Sequence, residues 1–146
     1  MTRSDEAVES FRSGFCCSAA VFSAFSEEIG LESKTTKKIG CGFGGGVSMT
    51  GNICGAVSGA IMAIGLKYGK TEEGDDQATE KTRSFVREFI NEFTERNGSI
   101  NCTELLGYNL RNQDEYERAC DEGVFKTKCP EYVRDATDIL EDILRK

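Results

Sequence analysis

Apolar residues recur at helical spacing along most of the chain, and no segment alternates in the way that a half-buried β-strand does. The pattern predicts an all-α fold, a compact helical bundle of about five to seven helices around a buried, small-residue central helix. By its length the chain is expected to be a single helical domain over residues 1–146. The main predicted helices cover about residues 4–14, 15–29, 33–39, 53–66, 75–95, 113–122 and the segment after Cys129.

The central helix is predicted from the apolar run Ile53–Leu66, which follows a glycine-dense turn. The run is shorter than the roughly 20 residues that cross a bilayer and long for a strand, so it indicates a buried helix. Each glycine in it costs about 1 kcal/mol relative to alanine, so tertiary packing must hold the helix. Cys54 would then lie in the interior, near the first turn of this helix. Small residues at spacings of three and four form a strip for close backbone contact: Gly55, Ala56, Gly59, Ala60 and Ala63.

The glycine turn before this helix contains the candidate cofactor-binding residues Gly42, Gly44, Gly45 and Gly46. Glycines before a helix can let backbone N–H groups approach a phosphate. Nucleotide binding is disfavoured, because no P-loop lysine follows and no apolar strand precedes the turn. We expect the glycines to serve a site, with backbone N–H groups that point toward sulfur or a bound anion. If they serve only packing, the N–H groups should face solvent or ordinary turn partners.

The composition of the chain argues against several classes of partner and of active site. The 146 residues include 18 basic and 25 acidic side chains, giving a net charge of -7 without a basic run, which argues against nucleic acid and anionic membrane as partners. Neither a secretory signal nor a membrane span is recognisable, so we expect a cytoplasmic protein. The absence of histidine excludes the usual protease triads, histidine-ligated zinc enzymes and covalent c-type haem attachment.

Seven cysteines are the main chemical feature of the chain. Their odd number prevents complete intramolecular pairing, and in a reducing cytosol clustered cysteines indicate metal ligands or redox catalysts. Cys17, Cys54, Cys102 and Cys129 each lie at or near the start of a different predicted helix. A helix N-terminus lowers the pKa of a thiol and donates hydrogen bonds to sulfur, so four such ends would suit a cluster of thiolates. The alternative is that the regularity reflects where the boundaries are drawn, since they are known only to a few residues.

The order of these motifs resembles the "putative redox-active protein" family named for the cysteine pattern C…GCAxxG…C…C. The resemblance covers about residues 14–144 and rests on these segments: Gly14–Val21, Gly42–Gly46, Cys54–Gly59, Cys102–Gly107, and Cys129 with the apolar positions after it. It implies that Cys17, Cys54, Cys102 and Cys129 are the family cysteines and that the protein is redox-active. A related domain is linked to haem-bearing chains, for which an iron-sulfur cluster has been considered.

The chain departs from the family pattern at two places. The literal GCAxxG string is absent, because Ile53 precedes Cys54 and Gly59 lies five residues beyond it. Where relatives tend to carry Asn, this chain has Cys16, which leaves open whether Cys16 or Cys17 faces the site. Two further cysteines are additional to the pattern and either are spectators or resolve an oxidised partner: Cys41 and Cys120.

The function predicted from the sequence is electron transfer through an iron-sulfur cluster bound by the four thiolates of Cys17, Cys54, Cys102 and Cys129. These cysteines lie 37, 48 and 27 positions apart without a CxxC pair, which disfavours a zinc ribbon and a ferredoxin motif. One alternative is metal-free thiol-disulfide exchange, with Cys17 as attacking thiolate and Cys54 or Cys102 as resolver. Another is a structural domain with a four-cysteine zinc site. A homodimer is compatible with the sequence, which identifies neither the redox partner protein nor an enzymatic reaction.

Overall fold

Eight α-helices of five or more residues build the fold, and the computed structural model, which describes residues 1–146, contains no β-strand. The all-α prediction is therefore confirmed. No helix has the combination of length and apolar composition that crossing a membrane requires. The helices are α1 (Arg3–Arg12), α2 (Cys17–Phe25), α3 (Ser33–Gly40), α4 (Gly55–Tyr68), α5 (Asp76–Asn97), α6 (Cys102–Leu106), α7 (Gln113–Asp121) and α8 (Cys129–Leu144), with shorter turns at Cys41–Phe43, Gly44–Val47 and Val124–Thr127.

Helix α4 is the buried central helix that the small-residue pattern predicts. It packs against α2, α5 and α8, while α1 covers α2 and α8 from outside. Five of its apolar side chains are completely enclosed, so its stability comes from tertiary contacts, as the cost of its glycines requires. The enclosed residues are Ala56, Val57, Ala60, Ala63 and Ile64.

The glycines of α4 allow α2 to approach it at backbone distance. A methyl group added at Gly59 would lie 3.1 Å from the carbonyl carbon of Ser18, and one added at Gly55 would overlap the sulfur of Cys17. Neither position has room for a side chain. The small-residue strip therefore positions the first turn of α2 directly against the first turns of α4.

Two predicted boundaries need correction. Helix α4 begins at Gly55 and not at Ile53, because Ile53 pairs with Asn101 in an isolated antiparallel bridge. Helix α2 ends at Phe25 and not at Ile29. The chain turns after Phe25 and reaches a positive φ of 92° at Gly30, a backbone conformation that glycine adopts readily.

The buried apolar residues form two separate clusters. The larger cluster has 21 residues and contains the enclosed residues of α4 together with Phe89 and Phe93 of α5. The smaller cluster has five residues: Cys102, Leu106, Leu110, Ala119 and Val124. Residues of both clusters line the cavity described below.

The close contact between α2 and α4 predicts opposite effects for alanine at two glycines of the same helix. Gly59→Ala places a methyl group against the Ser18 backbone and should destabilise the protein by about 1–3 kcal/mol. Gly65→Ala meets no atom within 4 Å and should stabilise it by about 0.5–1 kcal/mol through helix propensity. Urea unfolding of both variants measures the difference. Equal stability of the two variants would contradict the packing described here.

Candidate functional site

A cavity of about 500 Å³ lies where the two apolar clusters meet, and 18 residues line it. None of the lining side chains is charged. Six of the seven cysteines contribute to its wall: Cys16, Cys17, Cys41, Cys54, Cys102 and Cys129. The seventh, Cys120, is exposed on α7 and does not line the cavity. The structure thus brings the four cysteines of the sequence pattern to one place and leaves Cys120 outside.

Helix α2 contributes an adjacent pair of cysteines with different surroundings. Cys17, its first residue, packs against Gly55 of α4, and the backbone N–H groups of Gly45 and Ser18 face its sulfur. The Cys16 thiol instead donates to the carbonyl oxygen of Gly40 at 3.4 Å. Of the two, Cys17 is therefore the cysteine directed toward the central helix, and Cys16 lies against the end of α3.

Cys54 and Cys102 are held together by a short antiparallel pairing. The Cys54 N–H donates to the Ile100 carbonyl at 2.8 Å, and the Cys102 N–H donates to the Asn52 carbonyl at 2.6 Å. With Ile53 opposite Asn101, Cys54 and Cys102 are diagonal neighbours on the same side of the pairing. Each cysteine also lies at a helix start, Cys54 as the N-cap of α4 and Cys102 as the first residue of α6.

Cys129 closes the cavity from α8, together with an aromatic residue that the sequence analysis did not single out. Tyr132 lies three positions after Cys129 and also lines the cavity. Its hydroxyl donates to the carbonyl of Leu105 at 2.8 Å, and Leu105 in turn lies three positions after Cys102. Spacing of three from a candidate cysteine on a helix was the signal that could have identified both residues.

The four candidate glycines have different positions relative to the cavity. Gly44 and Gly45 line it, whereas Gly42 is exposed and does not. Gly46 is buried outside the lining, where a methyl group would lie 2.7 Å from the Cβ of Cys102. Only the Gly45 N–H faces a cysteine sulfur, that of Cys17. The turn therefore combines a role in packing with one N–H group directed at the site.

The backbone of this turn is left-handed over five consecutive residues, from Gly45 to Met49. The three residues without glycine's freedom have φ values of 68°, 51° and 64°: Val47, Ser48 and Met49. Left-handed geometry costs about 1–2 kcal/mol per residue for L-amino acids, so the surrounding contacts must hold this segment. Among them, the Asn52 N–H donates to the Gly46 carbonyl at 2.9 Å.

Exposed apolar side chains concentrate near the opening of the cavity. Lys37 of α3 lies over the Phe15 ring, with its Nζ 4.1 Å from the ring centre. Both Phe15 and Met49 line the cavity while remaining exposed. Large exposed apolar residues of this region are Phe15, Ile39, Phe43, Val47 and Met49. Of the six cysteines that line the cavity, only Cys41 is exposed, and it lies in the same segment, residues 39–49, as four residues of this apolar rim.

The electrostatics of the thiols differ from the sequence expectation that helix N-termini lower their pKa. Burial raises the pKa of Cys102 to about 11 and that of Cys129 to about 12, and repulsion from Cys17 adds to both shifts. Burial also raises the pKa values of Cys17 and Cys54. Backbone N–H groups at Cys17 and Cys54 act in the opposite direction, but desolvation outweighs them. Without a bound cation, these thiols are protonated at neutral pH.

The donor set suits a group that binds through sulfur. Four thiols, a cavity without charged side chains and the absence of histidine match the all-cysteine ligation of iron-sulfur clusters. No three of these cysteine side chains lie close enough together to hold one metal ion. A zinc site needs four sulfurs within about 2.3 Å of a single centre, so the present spacing does not match a preformed zinc site.

The raised pKa values predict a distinctive pH dependence of alkylation. Iodoacetamide reacts with thiolate, so labelling of Cys102 should increase about tenfold per pH unit from about pH 7 to about pH 10, below its pKa of about 11. Exposed Cys120 is the internal control and should be labelled readily at neutral pH. Mass spectrometry of the labelled peptides measures both rates. Equal labelling of Cys102 and Cys120 at neutral pH would contradict the described burial.

Comparison with known proteins places the chain in a sequence family. Residues 15–143 match the model of the family described as "Putative redox-active protein (C_GCAxxG_C_C)". A relative from Archaeoglobus fulgidus, named only "Uncharacterized protein", is 31% identical over 97 residues. That match covers 61% of this chain and 64% of the relative, so the chain spans less than two thirds of the relative's length. No solved structure matches the chain.

Proposed function

The chain belongs to the redox-active family with the C_GCAxxG_C_C pattern, and we propose that it transfers electrons through an iron-sulfur cluster held by Cys17, Cys54, Cys102 and Cys129. The proposal includes a separate redox partner protein. It also includes a cytoplasmic location, because a reducing compartment keeps the seven free cysteines in the thiol form.

One observation carries the proposal: four cysteines from four different helices line a cavity that has no charged side chain. Burying four thiols together is unfavourable for their ionised forms, because each loses hydration and repels the others. A cationic group bound in the cavity would offset both costs. Its binding would displace the thiol protons, so uptake should become more favourable as pH rises.

The residues of the cavity have separate roles in this function. The four thiolates bind the cluster, which supplies one-electron chemistry when it is present. The N–H groups of Gly45 and Ser18 at Cys17, and those of Ala56 and Val57 at Cys54, stabilise negative charge on sulfur. Such hydrogen bonds raise the reduction potential of a cysteine-bound cluster.

The apolar wall has the complementary role of limiting the access of water to the cavity. Leu105 and Leu106 of α6 and Phe125 of the Val124–Thr127 turn line the cavity, and of these Leu106 belongs to the smaller cluster and Phe125 packs against it. Exclusion of water by such residues influences the potential through the local dielectric. The exposed apolar rim provides a surface over which a redox partner could approach the site.

Both alternative functions receive less support from this geometry. A thiol that attacks disulfides should be accessible and have a lowered pKa. Cys17 instead packs against Gly55, and burial raises its pKa. The zinc alternative would be supported by a compact set of ligands around one point, and the cysteine side chains are not arranged in this way. These observations favour the cluster over both alternatives.

Anaerobic reconstitution with iron and sulfide tests the proposal. The wild-type protein should acquire visible absorbance with iron and acid-labile sulfide. Cys54→Ser and Cys102→Ser should both lose the cluster, because each removes a ligand, and neither should gain the stability that bound metal confers. Cys120→Ser is the matched control and should bind a full cluster, since this cysteine lies outside the cavity.

Three results would overturn the four-ligand proposal. One is a full cluster in either Cys54→Ser or Cys102→Ser. A second is a wild-type protein that never accepts iron while Cys54→Ser traps Cys17 in a mixed disulfide, which would support thiol-disulfide exchange. The third is a colourless protein with stoichiometric zinc, which would support the structural site.

A further inference from the structure

Two cysteines that the proposed cluster does not use lie close together at the cavity. Cys16 and Cys41 both line it, and both are free thiols. The Cys16 sulfur is 3.8 Å from the carbonyl oxygen of Cys41, so it lies against the backbone of the residue that carries the second thiol. Cys41 is exposed and Cys16 is partly exposed, unlike buried Cys54 and Cys102.

The segments that carry this pair are fixed relative to each other. The Ser18 hydroxyl donates to the Gly40 carbonyl at 2.5 Å, which joins the first turn of α2 to the end of α3. Gly40 has no side chain, and a methyl group there would lie 2.8 Å from the Ala19 backbone nitrogen. Because these contacts flank Cys16 and Cys41, the two residues are held side by side in the folded chain.

We propose that Cys16 and Cys41 form a second thiol pair, which low-molecular-weight disulfides oxidise reversibly to an intramolecular disulfide at the edge of the cavity. A disulfide needs Cα atoms no more than about 7 Å apart, and contact between the Cys16 sulfur and the Cys41 backbone is compatible with this limit. The bond would join the residue preceding α2 to the start of the Cys41–Phe43 turn.

The chemistry is two successive thiol-disulfide exchanges. Exposed Cys41, as thiolate, attacks one sulfur of oxidised glutathione and forms a mixed disulfide, releasing one glutathione thiolate. Cys16, after losing its proton to solvent, attacks the Cys41 sulfur, which forms the Cys16–Cys41 bond and releases a second glutathione. Two protein thiols are thereby oxidised while one glutathione disulfide is reduced to two thiols. Excess reduced glutathione reverses both steps.

Cys120 provides a built-in comparison for this reaction. It is exposed like Cys41, but it lies on α7 and outside the cavity that contains the other six cysteines. It should therefore stop at the mixed disulfide with glutathione. The pair uses none of the proposed cluster ligands, so the pairing of Cys16 with Cys41 does not require Cys17, Cys54, Cys102 and Cys129 to bind iron.

Peptide mapping of the full chain after incubation with oxidised glutathione tests the pairing. Cyanogen bromide cleaves after Met49 and separates Cys41 from Cys54, while trypsin cleavage at Lys34 and Lys38 separates Cys16 from Cys41. We expect a linked peptide pair in the wild type, assigned to Cys16 and not Cys17 by fragmentation between them. Added reduced glutathione should remove the link.

Single substitutions complete the test. The linked pair should persist in Cys120→Ser and disappear in Cys41→Ser. In Cys16→Ser, Cys41 should remain as the glutathione mixed disulfide because its resolving thiol is absent. A wild-type protein in which Cys41 stays glutathionylated, remains unmodified or links to Cys17 would overturn the proposal. The wild-type map alone distinguishes these outcomes, so the result does not depend on the folding of any variant.

Discussion

Gly55 and Gly59 allow the start of α2 to lie against the central helix without an intervening side chain, and the cavity depends on this contact. It places Cys17 beside the N-terminus of α4, where Cys54 is the N-cap. The other half of the cavity depends on the pairing of residues 51–54 with residues 100–103, which positions Cys102. A side chain at either glycine would force α2 away from α4 and so disturb the position of Cys17.

The same close packing determines the electrostatics of the thiols. Helix N-termini supply N–H groups to Cys17 and Cys54, yet the pKa values of both cysteines are raised, because removal from water outweighs these contacts. The buried thiols therefore ionise unfavourably on their own, and a bound cation would stabilise their thiolate forms. The raised pKa values distinguish four inner cysteines, Cys17, Cys54, Cys102 and Cys129, from the reactive cysteines of exposed redox motifs, whose thiolates are stabilised in the free protein.

Much of the architecture could be predicted from local sequence, because helix periodicity and the spacing of small residues depend on near neighbours along the chain. The central helix and the helix-start positions of the cysteines belong to this class. The start of α4 could not be predicted, since it depends on the bridge between Ile53 and Asn101 across a long separation. The left-handed backbone at Val47 could not be predicted either, because β-branched residues rarely adopt a positive φ. The direction of the thiol pKa shifts required knowledge of burial, which is a property of the assembled tertiary structure.

The bridge between residues 51–54 and 100–103 also has a consequence for the order of folding. Closing a loop of this length has an entropic cost that contacts between near neighbours in the chain do not have, so Cys54 and Cys102 are expected to meet after more local contacts have formed. Cys129 lies still later in the chain, on the last helix. A growing polypeptide therefore has no complete cavity until α8 has emerged from the ribosome and docked. Any group bound by all four inner cysteines must enter a chain whose synthesis has passed that helix.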